Sequence, residues 1–304
     1  MTALRRRRGT STGPALLVVG AATSQEVGAA FAVGLFGALG AGGATFARFA
    51  VAGTVLCVAV RPRVRRLTRR AWGAAAALAI SLAAMNLCFY EAISRIPLGI
   101  AVTIEVLGPL VLSVALSRRR IAWMWALLAF TGIAALGLTP KQTGDLDWLG
   151  VAFAAAAALS WASYIVATSR AVQTFPRLDA LAIASAIGAV LVAPFAAVTI
   201  DGAAALHWHV AALAIAVGLM SSVIPYSLEL WSLRTLDPGT FAVLTCVSPV
   251  VAVLAGWAVL DQRLRLIDCL AITLVTLASA GAVRSARRPL RDRPSSVRFG
   301  DDPA

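Results

Sequence analysis

Apolar stretches recur along the whole chain, near residues 14–36, 43–60, 72–93, 98–116, 121–139, 148–169, 178–200, 209–233, 239–259 and 265–283. A bilayer core of roughly 30 Å takes about 20 helical residues to cross. Backbone amides cannot stay unpaired at that depth, so each stretch predicts a transmembrane helix. The alternating pattern of a membrane barrel is absent. Polar positions gather between the stretches, in linkers where arginine accumulates on every second one.

Two parts of this pattern resemble each other. Pro97-Leu98-Gly99 opens the fourth stretch and Pro109 lies midway along it; Asp237-Pro238-Gly239 and Pro249 repeat the arrangement in the ninth. The expected fold is therefore all-α and integral to the membrane, with ten transmembrane helices in two five-helix repeats, 14–139 and 148–283. Five is odd, so the second repeat inserts inverted, an arrangement that puts a substrate path between the halves near the midplane. Residues 1–13 form a basic tail, and 284–304 a disordered one rich in arginine, proline and serine. A mid-helix proline frees the carbonyl four residues earlier. For Pro109 and Pro249 these are the carbonyls of Glu105 and Thr245. Helices four and nine are thus expected to line a wet path, or to be kinked for packing alone.

Composition agrees with a membrane bundle: 60% hydrophobic residues, 13% charged residues and a mean hydropathy of +0.83. The net charge of +13 gains meaning from its placement. Apart from Arg48, Arg95, Lys141, Arg263 and Arg265, every basic residue lies in a tail or in the linkers at 61–70, 118–120, 170–177 and 234. That bias places both termini in the cytoplasm. Charge dispersed among membrane linkers does not make the single basic face that nucleic acid requires. The apolar run behind Arg5 to Arg8 is too long for a signal peptide and reads as a retained first helix. Cys57, Cys88, Cys246 and Cys269 lack ligand spacing and act as small hydrophobes. His207-Trp208-His209 reads as an interfacial anchor in preference to a metal pair.

Polar groups inside the stretches carry the candidate chemistry. Glu26, Glu91, Glu105 and Glu229 each place a carboxyl within a predicted helix, at a cost of about 2.5–3.5 kcal/mol if charged and central. Each therefore needs a partner, a wet cavity or a proton. Arg48 and Glu105 sit at comparable depth from the outer side and are expected to pair, or else Glu105 serves substrate or proton directly. Ser222, Tyr226, Glu229 and Ser232 share one face of the eighth helix, beside Pro225, and that face should point into the bundle. Asn86 and Tyr90 share a face of the third; Glu91 is rotated off it, near the outer end. Gly37 to Gly43 reads as a glycine-rich outer linker without the lysine of a nucleotide-binding loop. No nucleophile elbow, zinc-protease motif or phosphate-cradling loop occurs. The expectation is a protein that is not an enzyme, with no metal or cofactor, whose transport, if any, is secondary.

Met85-Asn86-Leu87-Cys88-Phe89-Tyr90, Ile96 to Val102, Glu105, Gly108-Pro109-Leu110, Ser117 to Arg120 and Pro225-Tyr226-Ser227-Leu228-Glu229 resemble the drug/metabolite transporter superfamily. The similarity is to its threonine/homoserine exporter branch, built of two EamA-type repeats, and covers roughly residues 14 to 284. The resemblance implies export of amino acids or related metabolites across a bacterial inner membrane, in exchange for protons. Substrate or proton roles are expected for Glu105, Glu229, Arg48, Asn86, Tyr90, Tyr226 and Glu26 from their polar side chains inside the predicted helices. Glu26 and Glu91 depart from the branch's uncharged positions, and its acidic residue at the end of helix nine is displaced to Asp261. Alternatives are a drug, cation or other metabolite exporter of the same superfamily and, of a different class, a non-transporting membrane scaffold or sensor.

Overall fold

The computed structural model describes residues 12–287 apart from 65–66, 117–120, 122, 126, 130, 132–146, 176–177, 201, 203–206, 237–240, 242–243 and 263–265. Most of the predicted fifth helix, the Asp237-Pro238-Gly239 turn and most of both tails lie outside that set. The elements are α1 (Thr12–Val33), α2 (Phe36–Val60), α3 (Arg69–Ile93), α4 (Leu98–Glu105), α5 (Leu107–Leu116), α6 (Trp148–Thr174), α7 (Asp179–Thr199), α8 (Trp208–Gly218), a π-helical turn (Leu219–Val223), α9 (Ile224–Thr235), α10 (Ser248–Leu260) and α11 (Leu266–Arg287). No strand occurs among the described residues. Six segments are long and apolar enough to cross a membrane, and shorter apolar helices accompany them. The protein is an all-α membrane bundle.

Local chemistry sets several boundaries. The Thr68 hydroxyl accepts from the Ala71 N–H at 3.2 Å to begin α3, and the Asp147 carboxylate accepts from Leu149 and Gly150 to begin α6. The glycine-rich stretch expected as a linker is instead the first part of α2, and the connection from α1 shrinks to Gly34-Leu35. Gly40 explains the difference. It takes a left-handed turn (φ 65°) inside α2, and a side chain there would run into Thr199 at 2.7 Å. The chain bends where only glycine fits, so small residues that look like a loop serve as a packing surface. The Thr199 hydroxyl then accepts from the Gly43 N–H at 3.0 Å.

Helices four, eight and nine are interrupted. The break at Val106 separates α4 from α5 three residues before Pro109, and turn residues Cys246-Val247 precede α10. Pro249 accordingly sits in the first turn of α10, where its missing N–H costs nothing, and not midway along a kinked helix. The eighth stretch, expected as one helix, contains the π turn immediately before Pro225.

Packing joins the two parts of the chain closely. The α2 helix lies mainly on α7, and α3 mainly on α6; α1 lies against α9, α10 and the π turn, and α4 against α10. Glycines allow the close approaches. A side chain at Gly53 would meet the Ala186 backbone at 3.1 Å, and one at Gly188 the Phe49 ring at 3.0 Å. A side chain at Gly108 would overlap the Ala158 carbonyl. Such small-residue contacts drive helix association where apolar burial gives no advantage over lipid.

Candidate substrate site

The site begins with a consequence of Pro225. Lacking an N–H, this proline cannot bond the carbonyl four residues earlier, that of Ser221. That carbonyl accepts instead from Nη2 of Arg48, projected from α2. The same guanidinium donates through Nε to Ser222 Oγ at 2.8 Å, and Nη2 lies 3.4 Å from the Tyr226 hydroxyl. Its carbon stands 5.1 Å from the centre of the Tyr90 ring and 6.0 Å from that of Tyr226. Only 2% of Arg48 is exposed. A buried guanidinium is tolerable here because charge-assisted hydrogen bonds, each about 1.5–3 kcal/mol, and two aromatic faces replace its water. The π turn and Pro225 together present two acceptors to Arg48, the Ser222 hydroxyl and the Ser221 carbonyl.

Around Arg48 the structure gathers the residues singled out from sequence. The Asn86 amide nitrogen donates to the Leu82 carbonyl at 2.7 Å, and its oxygen lies 3.1 Å from the Tyr226 hydroxyl, which donates to it. Tyr226 is therefore held from two sides, by Asn86 of α3 and Arg48 of α2. Tyr90 is fully buried, its ring against Phe36 at 5.6 Å, and its hydroxyl has no partner among the described residues. The predicted inward face of the eighth helix is realised: Ser222, Tyr226, Glu229 and Ser232 are all buried.

The carboxyls divide. Glu229 accepts from the Tyr164 hydroxyl at 3.1 Å, and the Tyr164 and Tyr226 rings touch with centroids 5.9 Å apart. Glu105, at the end of α4, is buried but does not form the expected ion pair with Arg48. The guanidinium's acceptors are the neutral oxygens of the π turn and Tyr226, and the one salt bridge among the described residues joins Arg95 to Glu91 at 2.5 Å. Glu26 in α1 is 2% exposed, and its Oε2 has no partner among the described residues. Glu26 and Glu105 are nevertheless within electrostatic reach of Arg48 and of Glu229. Glu91 keeps to the rim with Arg95, apart from this cluster.

Tyr164 and the Ser221 carbonyl belong to the site but were absent from the sequence expectation. Both had a signal. Tyr164 is one of only three tyrosines in the chain, and a hydroxyl inside an apolar helix needs a partner. The rule applied to Pro109 and Pro249 also identifies the Ser221 carbonyl when applied to Pro225. The described residues contain no group of three or more potential metal ligands.

These features define an all-helical membrane protein with a polar, charged site enclosed between the two parts of its chain. Comparison with known proteins assigns the class. Residues 148–284 match the EamA-like transporter family. The threonine/homoserine exporter RhtA of Salmonella typhimurium (strain SL1344) is 34% identical over 90% of this chain and 92% of its own length. The RhtA of Escherichia coli (strain K12) is 33% identical over the same shares. A crystal structure with 20% identity superposes with a TM-score of 0.65, covering 91% of this chain and 98% of its own, which shows a shared fold. The chain belongs to the EamA-like transporter family.

Proposed function

We propose that this protein is a secondary transporter that exports threonine- and homoserine-like amino acids across the bacterial inner membrane in exchange for protons. The observation that carries the proposal is a buried arginine of α2 whose hydrogen bonds all go to the other half of the chain, beside three buried carboxyls. A zwitterion needs such a pairing of charges. The substrate class follows from the exporters that match over most of the chain.

The architecture proposed is ten helices in two inverted five-helix repeats, with both termini cytoplasmic. Helix pairing supports it. Contact of α3 with α6 is matched by contact of α1 with α8 and α9, and contact of α5 with α6 by that of α1 with α10. The α3–α7 contact is matched by α2–α8, while α2–α7 and α4–α10 are their own counterparts. Exchanging each transmembrane segment for the one five further along maps these contacts onto one another, as a two-fold relation between repeats would, although the α2–α3 contact has no counterpart of similar extent among the described residues.

In the proposed cycle the substrate carboxylate binds the edge of Arg48 formed by Nη1, since Nε and Nη2 already have acceptors. The ammonium lies towards Glu105 or Glu229. A carboxyl that surrenders its proton when the ammonium arrives, and regains one when it leaves, links outward amino-acid movement to inward proton movement. The breaks at Val106 and Cys246-Val247 and the π turn supply joints where helix segments can rock about the site.

Efflux of preloaded, labelled threonine and homoserine from cells lacking their own exporters tests this reading. Efflux that an uncoupler abolishes and Glu105→Gln loses supports proton-coupled export. Absence of efflux from correctly inserted protein would overturn the assigned substrate, and uncoupler-insensitive efflux would overturn the coupling.

A further inference from the structure

The site holds more carboxyl groups than a neutral amino acid and one exchanging proton account for. A zwitterion brings one carboxylate, matched by Arg48, and one ammonium, matched by one glutamate. A second glutamate serves as the proton carrier. The third carboxyl remains without an assignment, and its geometry is distinctive. Glu229 is bound by Tyr164 at 3.1 Å, and Glu105 ends α4 at the break beside Pro109. Glu26 comes from α1, is buried, and leaves Oε2 unpartnered among the described residues, within electrostatic reach of Arg48, Glu105 and Glu229. A second unpartnered group lies in the same region: the fully buried hydroxyl of Tyr90, whose ring faces the Arg48 guanidinium. Buried polar atoms left open beside a charged site are the mark of a ligand that completes them.

The α1 helix is fixed at this location. Ser24 donates to the Met220 carbonyl at 2.7 Å, and a side chain on Gly28 would meet Met220 and the Ser221 nitrogen at 3.0 Å. Glu26 lies on the opposite face of this seated helix from Ser24 and Gly28, and its burial keeps it from the lipid interface.

From this arrangement we propose that the site is built for α-amino acids carrying a second ammonium on a short side chain, with Glu26 as the specificity-determining residue that receives it. The inference rests on the amino-acid export reading above and narrows its substrate class. A side-chain ammonium supplies the counter-charge that Glu26 lacks and donates three hydrogens. A hydroxyl at that position offers Glu26 one hydrogen and no charge.

Homoserine and 2,4-diaminobutyrate test this directly, since they differ only in the hydroxyl or ammonium at the end of the side chain. The full chain in proteoliposomes is assayed for counterflow of labelled threonine, with each compound as competitor. The wild-type protein should be half-inhibited by 2,4-diaminobutyrate at about tenfold lower concentration than by homoserine, as befits one added charge pair in a desolvated site. In Glu26→Gln that ratio should fall to about one or invert. Equal competition in the wild-type protein overturns the inference, and does so without any variant that must fold. A preference that survives Glu26→Gln overturns the role of Glu26. If threonine counterflow is absent altogether, the amino-acid reading fails and this inference fails with it. Threonine counterflow without preference for the diamino acid leaves the export reading standing alone.

Discussion

Asn86 and Tyr226 are hydrogen-bonded across the middle of the bundle, and they lie 140 positions apart in the chain. The same offset relates Pro109 to Pro249. Under the proposed inverted repeat, equivalent positions of the two halves that touch each other must sit on the axis relating them. On that proposal the Asn86–Tyr226 contact would mark the axis; Arg48 bonds directly to Tyr226. A charged group next to such an axis is equally accessible from both sides, which is what alternating access demands of a binding group.

Breaking this central contact should cost stability and reveal coupling. Asn86→Leu removes the acceptor of the Tyr226 O–H and Tyr226→Phe removes the donor to Asn86 Oδ1, and each should destabilise the protein by about 1–3 kcal/mol. The double variant should lose less than the sum, by roughly 0.5–1.5 kcal/mol, because both remove one shared interaction. Thermal unfolding of the four proteins in one detergent measures this; strict additivity would deny the contact its proposed weight.

Arg48 should not tolerate lysine. A lysine keeps the charge but loses the fork that reaches Ser222, the Ser221 carbonyl and Tyr226 together. Arg48→Lys is expected to reduce amino-acid efflux by at least about tenfold while protein levels in the membrane hold. Efflux within a factor of about two of wild type would mean that charge alone suffices.

The seat of α1 on the π turn is a steric prediction. In Gly28→Ala the added methyl meets Met220 Cβ and the Ser221 nitrogen, both at 3.0 Å, besides Ser221 Oγ. Two of the three cannot rotate away, so the turn must shift, carrying the acceptors of Arg48 with it. The variant should lose most of its transport, whereas Gly20→Ala, with open space around it, should not. Measuring efflux for the pair separates local displacement from a general intolerance of α1 to change.

Glu91 provides the contrast among the membrane carboxyls. Its partner Arg95 is one helical turn away, and the two side chains are 22% and 29% exposed. Such a partly solvated pair contributes about 0–1 kcal/mol. Glu91→Gln should leave efflux and thermal stability close to wild type, while Glu229→Gln, which alters a buried acceptor of Tyr164, should abolish transport. Equal losses in both would show that depth in the sequence, and not placement in the site, decides which carboxyl matters.

Much of this was legible in the sequence because bilayers impose simple rules. Length and hydropathy located the six long membrane-crossing segments among the described residues, and the three- to four-residue spacing of Ser222, Tyr226, Glu229 and Ser232 correctly turned that face inward. The failures are equally physical. Gly37 to Gly43 resembled a loop because glycine and alanine weaken helices in water, whereas between membrane helices the same residues permit close packing against α7. Equal depth suggested that Arg48 pairs with Glu105, yet depth carries no information about the angle around a helix or about neighbours. The neutral acceptors that Arg48 uses arise from a π turn, which no hydrophobic pattern encodes. Pro225 was the available clue, and its freed carbonyl is the anchor of the site.

Arg48 is the group proposed to hold the substrate between the two halves. Counterflow of labelled threonine in proteoliposomes, comparing wild type with Arg48→Ala at matched insertion, tests it most directly. The account predicts rapid exchange by the wild-type protein and a loss of at least about a hundredfold in Arg48→Ala, in protein that remains monodisperse and helical. Exchange at the wild-type rate by Arg48→Ala would contradict it, and would make the buried arginine a structural clasp and not a binding group.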